Sequence, residues 1–156
     1  AVALAISLLE LKDFKASDFA KFHPGGALGK RMFLRVGDLS INNETPKVDI
    51  DEVATRVIIE ISSKRLGATA VLKEGIIKGV ITDGDIRRMI EKTPDFTKLK
   101  AYEIMSANPR TIEKEELVVN ALSIMKNNNI TQLLVVNNGV YEGVIHLHDI
   151  LNEGIL

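Results

Sequence analysis

The feature that most constrains this chain is that it states one segment twice. Gly79-Val80-Ile81-Thr82-Asp83-Gly84-Asp85-Ile86 returns as Gly143-Val144-Ile145-His146-Leu147-His148-Asp149-Ile150, an offset of 64 residues (143 − 79). The register holds upstream, where Gly75-Ile76-Ile77-Lys78 matches Gly139-Val140-Tyr141-Glu142 and Ala70-Val71-Leu72 matches Leu134-Val135-Val136. Two copies of one supersecondary unit each need the other to cover an apolar face. The period is too long for a solenoid and suits two stacked α/β units. Between two such units lies a symmetric cleft, a place where ligands bind.

The order of elements follows from local pattern. In the first copy Lys47-Val48-Asp49 reads as a strand and 52–65 as a helix, with Val53, Val57 and Ile61 on one face. Ala68 to Leu72 and Ile77 to Ile81 read as strands around a turn at Lys73-Glu74-Gly75, and Asp83 to Lys92 as the closing helix. The second copy repeats this: a strand near Arg110-Thr111-Ile112, then a helix over 116–128 with a buried stripe of Leu117, Ala121, Ile124 and Met125. Strands at 132–136 and 141–145 and a helix from Leu147 complete it. Ahead of both copies, residues 1–22 look helical and His23-Pro24-Gly25-Gly26 breaks the pattern. The chain opens on Ala rather than Met and reads as the last helices of something larger.

Charge narrows the function classes. Twenty basic residues balance 21 acidic ones, for a net charge of −1, which argues against a nucleic-acid or membrane-surface role. No Cys is present, so disulfide and thiolate chemistry are excluded. Ala1 to Leu9 is apolar but far shorter than the roughly 20 residues that span a bilayer. A cytoplasmic protein is expected.

Thr82-Asp83-Gly84-Asp85 admits two readings. Thr82 and Asp85 have the spacing of a capping box, which alone explains both. The same helix start also suits a phosphate, with Asp85 accepting the hydroxyls of a ribose. Arg87 and Arg88 could grip a phosphate or carboxylate, yet they point about 100° apart on a helix and are equally at home in solvent, with Glu91 as partner for Arg87. His146 and His148 make an H-x-H pair with Asp149 as the one further acidic neighbour, a weak metal signal; no metal is expected. His146 stands where the first copy has Thr82. Gly25 to Lys30 fails as a phosphate loop, because Pro24 replaces the first Gly and Arg31 the hydroxyl residue.

Two units with a G-h-h-T-x-x-D element at the third strand resemble a tandem CBS domain pair. Asp38-Leu39-Ser40 and Glu103-Ile104-Met105 look like its entry motifs, and 129–136 is close to the family's second-strand run. The stretch from Asp18 to Arg31, centred on His23-Pro24-Gly25-Gly26, looks like the junction in arabinose 5-phosphate isomerases, where a sugar isomerase (SIS) domain runs into a CBS pair. The resemblance implies an α/β fold of two stacked β-α-β-β-α repeats with pseudo-twofold symmetry. It divides the chain into an isomerase tail and linker (1–33), a first repeat (34–95) and a second (96–156).

The resemblance also implies a parent enzyme that interconverts ribulose 5-phosphate and arabinose 5-phosphate for Kdo and lipopolysaccharide synthesis. His23 would match an active-site histidine of that enzyme. The phosphosugar loop, carboxylates and lysine expected of the isomerase domain are not in this sequence, so no catalysis is expected of it alone, and no catalytic cofactor. A nucleotide-sensing module follows, with Thr82, Asp83, Asp85, Arg87, Arg88, His146, His148 and Asp149 as ligand-binding candidates. Its ligand would be an adenine nucleotide or cytidine-monophosphate-activated Kdo. Its partners would be its own isomerase domain and a second copy in a homodimer, with a higher oligomer in the full enzyme. The rival is a ligand-free dimerisation module in which Thr82 and Asp85 merely cap a helix.

Overall fold

A computed structural model describes residues 27–155. The helix expected over residues 1–22 and the turn carrying His23 lie outside them. Helix α1 (Ala27–Phe33) and a short helix α2 (Val36–Ser40) lead into strand β1 (Lys47–Asp49) and helix α3 (Ala54–Lys64). Strands β2 (Ala68–Lys73) and β3 (Ile76–Thr82) form a hairpin, and helix α4 (Asp83–Lys92) closes the first copy. A short helix α5 (Ala101–Ile104) and strand β4 (Ser106–Ala107) precede the second copy. This consists of β5 (Thr111–Glu113), α6 (Val118–Asn128), β6 (Gln132–Asn137), β7 (Val140–His146) and α7 (Leu147–Leu151).

The repetition reaches the backbone register. β1 runs parallel to β2 and β5 parallel to β6, each through a helical crossover, and β2–β3 and β6–β7 are antiparallel. Ala68 faces Thr82 and Gln132 faces His146, and both hairpins carry a bulge at the same place, after Val71 and after Val135. Both hairpin turns need two successive residues at positive φ, supplied by Glu74-Gly75 and Asn138-Gly139.

Strand periodicity sorts the apolar residues into three layers. Val71 and Ile81 turn towards α3, packing with Val57, Ile61 and Ala101. Leu133, Val135 and Ile145 turn towards α6, packing with Val118, Ala121, Leu122 and Met125. The residues between them face the seam where the sheets meet: Ala70, Leu134, Tyr141 and Val144, with Leu66 beside them. Both faces of β2 and β6 are thereby covered, which is why these strands read as unbroken apolar runs. The Tyr141 hydroxyl lies within the seam and donates to the Pro46 carbonyl; burial pushes its pKa up.

Two expectations need correction. The buried stripe of α6 is Val118, Ala121, Leu122 and Met125, not Leu117, Ala121, Ile124 and Met125. The helix begins two residues later than periodicity suggested, Leu117 is its N-cap, and the stripe rotates accordingly. Helix α3 likewise starts at Ala54, capped by Val53.

Packing also exchanges the entry segments between copies. Val36 and Leu39 of α2 lie in the core of the second sheet, held by Val36 N–H to Glu116 C=O (2.8 Å) and Val118 N–H to Leu34 C=O (2.9 Å). Ala101 of α5 lies in the core of the first, with its N–H on Glu52 C=O at 2.8 Å, and β4 extends the first sheet beside β3. The sequence repeats 34–95 and 96–156 and the packed lobes therefore differ in their entry segments. Lys30 of α1 pairs with Glu153 at 3.1 Å, tying the front of the described region to its end.

The close approach of β4 makes the two equivalent glycines unequal. A Cβ on Gly79 would stand 2.8 Å from the Ser106 carbonyl oxygen and 2.5 Å from Met105 Sδ, whereas one on Gly143 would meet nothing nearer than 3.9 Å. Gly79→Ala is expected to cost roughly 1–3 kcal/mol by forcing β4 away, and Gly143→Ala to change stability by no more than a few tenths, about the scale of a harmless surface change. Urea midpoints of the two variants check this; equal midpoints would contradict it. Among the described residues, no helix is long and apolar enough to cross a membrane.

Candidate functional site

The repeated helix starts meet at a cleft of about 920 Å³ along the seam. Thr82 ends β3 in extended conformation and caps α4. Its Oγ1 accepts from Asp85 N–H at 3.3 Å, while Asp85 Oδ2 accepts from Thr82 N–H at 2.9 Å and from its hydroxyl at 3.1 Å. The second oxygen of Asp85 accepts from Arg88 Nη2 at 2.6 Å. The capping box is therefore present, and these three side chains, Thr82, Asp85 and Arg88, line the cleft together with Asp83.

The second copy builds the same cap from different chemistry. His146 Nδ1 accepts from His148 N–H at 3.0 Å, and Asp149 Oδ2 accepts from His146 N–H at 2.8 Å. An imidazole nitrogen thus replaces the Thr82 hydroxyl. The rings of His146 and His148 stack with centroids 4.8 Å apart and planes within 3°. This accounts for the H-x-H spacing: one histidine caps, and the other lies against it.

A cap that accepts through Nδ1 requires an unprotonated nitrogen. Burial lowers the His146 pKa, the neighbouring His148 adds to this, and Asp149 opposes it. Below about pH 6.5 the unfolded chain therefore binds a proton that the folded chain resists. The stability this represents is present above 6.5 and is lost as pH falls through the lower folded value. Between pH 7.5 and 5.5 the urea midpoint is expected to fall further in the wild type than in His146→Thr, which carries the first copy's capping residue. Identical falls in the two proteins would contradict this.

Of the sequence candidates, the structure brings Thr82, Asp83, Asp85, Arg88, His146 and His148 to the cleft. Arg87 and Asp149 do not line it. Arg87 is exposed, one position round the helix from Arg88, as the 100° step requires. Asp149 is turned to the His146 N–H and to Asn43, whose Nδ2 stands 2.8 Å away.

Arg65, Arg110 and Gln132 line the cleft and were not singled out in the sequence. Arg65 ends α3 at φ 62°, a left-handed conformation that residues other than Gly adopt at some cost. Its counterpart at the end of α6 is Asn129 at φ 52°, a residue better suited to that region. The offset of 64 was the available signal: Arg sits where the other copy uses Asn. Gln132 reaches across the seam, its Nε2 3.2 Å from the Leu66 carbonyl oxygen. Three cations and the two carboxylates Asp83 and Asp85 leave the cleft wall net positive, with Leu66, Val80, Ile130 and Leu134 as its apolar part. Such a wall suits a ligand with one flat apolar end and one anionic end.

Residues 101–155 match the model of the CBS domain. The chain is 38% identical over 156 residues to arabinose 5-phosphate isomerase KdsD of Salmonella typhi, and 40% identical over 151 residues to that of Francisella tularensis. These alignments take in 99% and 96% of the chain but only 48% and 46% of the relatives, so the chain spans about half their length. Among solved structures, a CBS domain structure superposes with a TM-score of 0.71 at 16% identity, covering 77% of this chain and 96% of that one. A CBS domain protein from Pyrobaculum aerophilum, complexed with AMP, superposes with a TM-score of 0.68 at 24% identity, covering 75% and 90%. Residues 101–155 are a CBS domain, the described region has the fold of a CBS pair, and the chain is related in sequence to the arabinose 5-phosphate isomerases over about half of those enzymes' length.

Proposed function

We propose that this chain is the nucleotide- or nucleotide-sugar-sensing module of an arabinose 5-phosphate isomerase, with residues 1–33 belonging to the isomerase domain and its linker. The observation that carries the reading is the cleft at the seam, where Asp85, Arg65, Arg88 and Arg110 stand around an apolar wall. The arginines supply bidentate donors for a phosphate. Leu66, Val80 and Leu134 offer a surface for a base, and Asp85 offers acceptors for sugar hydroxyls. An adenine nucleotide fits this set, as does cytidine-monophosphate-activated Kdo, which would make the module a feedback sensor. Regulation follows only if the ligand prefers one arrangement of the module and the isomerase domain. The parent reaction, interconversion of ribulose 5-phosphate and arabinose 5-phosphate in Kdo synthesis, rests on the sequence relatives, and a cytoplasmic setting follows from it. His23 would serve in the isomerase site of that enzyme.

The second reading, a ligand-free structural module, is favoured by one observation: both oxygens of Asp85 already have partners. A homodimer is proposed under either reading. Ile59, Ile90 and Tyr102 leave apolar surface on α3, α4 and α5, the last of which packs against both of the others. Calorimetric titration of the chain with AMP, ATP, CMP and CMP-Kdo decides between the readings. Saturable heat from at least one of them is expected; silence from all four would leave only the structural reading.

A further inference from the structure

The two copies close differently. The closing helix of the first copy, α4, runs for 10 residues, whereas its counterpart α7 stops after 5. Past α7 the chain turns tightly, with Glu153 N–H on Ile150 C=O at 3.1 Å and Gly154 N–H on Leu151 C=O at 3.0 Å. Gly154 sits at φ 75°, a conformation that suits glycine and lets the chain double back. Ile155 is carried fully into the core, whereas Glu91, its counterpart at the offset of 64, is exposed on a helix that continues.

What this closing segment holds is the front of the described region. Ile155 shares its apolar cluster with Val36 and Leu39 of α2, and Leu34 packs against the same cluster. Lys30 of α1 donates to the Glu153 carbonyl at 3.0 Å and to its carboxylate at 3.1 Å, with both side chains partly sheltered from solvent. Backbone bonds continue the attachment: Val118 N–H to Leu34 C=O at 2.9 Å, and Val36 N–H to Glu116 C=O and Gly37 N–H to Lys114 C=O, both at 2.8 Å. Each of these contacts is with the second copy, although α1 and α2 stand next to the first in sequence. At the same offset Lys30 corresponds to Pro94 and Glu153 to Met89, so the other entry segment cannot form this ion pair.

We propose that residues 152–155 are a clasp, in which the Lys30–Glu153 pair and the insertion of Ile155 beside Val36 and Leu39 make α1 move with the second copy and not with the first. The ion pair contributes little by itself. Ile155 supplies the larger part, because truncating it leaves a void in the core that α2 lines. The chain ahead of residue 27 is thereby joined to the second sheet, and a shift of one sheet against the other reaches it through the second copy. The clasp does not depend on what the cleft binds; that its output is an isomerase domain rests on the reading of residues 1–33 above.

Native-state hydrogen exchange on the whole chain, with no ligand added, tests this. Ile155→Ala is expected to speed exchange at the α1 amides and at Leu34 by more than about tenfold. Lys30→Met is expected to speed it by about fivefold, and Glu153→Gln by less, since the Glu153 carbonyl still accepts from Lys30. Val57→Ala, which opens a void in the core of the first copy, is expected to speed the β2 amides and leave α1 unchanged. Unchanged α1 exchange in Lys30→Met, or acceleration of α1 by Val57→Ala as large as that by Ile155→Ala, would overturn the proposal. Should Ile155→Ala not fold, Lys30→Met and Glu153→Gln still decide it, and the first must exceed the second. Because no nucleotide is present, failure of the nucleotide reading leaves this result untouched.

Discussion

Replacing Leu134 with Ala is expected to lower the stability of this chain by about 2–5 kcal/mol, the range for truncating a buried leucine. Leu134 sits at the centre of β6, 1% exposed, on the face turned away from α6. It packs in the seam with Leu66, Ala70, Tyr141 and Val144, so it joins one sheet to the other. Tyr141 is fixed by its hydrogen bond to Pro46, which limits how far the seam can collapse into the space left behind. Leu134 and Leu66 also form part of the cleft wall, so the same variant should bind nucleotide more weakly. Equilibrium urea denaturation measures the first effect, with Ile76→Ala at an exposed hairpin position as the control. A loss at Leu134 no larger than that of the control would mean the sheets do not depend on each other.

Asp85→Ala is expected to act twice. It removes the carboxylate half of the α4 cap, the bonds accepted from the Thr82 N–H and hydroxyl, at a cost of about 0.5–2 kcal/mol. It also frees Arg88 and removes the acceptors proposed for sugar hydroxyls, so affinity for a bound nucleotide should fall at least tenfold. Asp85→Asn separates the two effects, since the amide keeps an oxygen for capping but loses the charge and half of the acceptors. Thermal denaturation and ligand titration on both variants are the measurements. Loss of stability with no change in ligand response would favour the structural module, in which Asp85 caps and does nothing more.

Much of this fold was legible because it was written twice. The 64-residue offset placed both hairpins, and the turn chemistry at Glu74-Gly75 and Asn138-Gly139 fixed where each reverses. Thr82 and Asp85 were legible because a capping box is a local contact of three residues. What escaped the reading depends on contacts between distant residues. Nothing near Val36 or Ala101 says that each packs into the core of the other copy, because α2 and α5 are too short to carry a periodicity of their own. The α6 stripe was misphased because Leu117 is apolar yet caps the helix, while Val118 begins the buried face. Asn43 gave no signal at all, since its partner Asp149 lies 106 residues on. Arg65 and Arg110 come to the cleft from different copies, which only the folded seam reveals.

The central claim is that the two copies close over one shared cleft and that a nucleotide binds there. Backbone amide resonances of the chain, followed as AMP is added, test it most directly. The account predicts shifts concentrated at Gly67, Thr82 to Asp85 and Asn108, with the hairpin tips at Gly75 and Gly139 unmoved. Shifts confined to the tips or to the exposed faces of α3 and α5, or no shifts with AMP, CMP or CMP-Kdo, would contradict it.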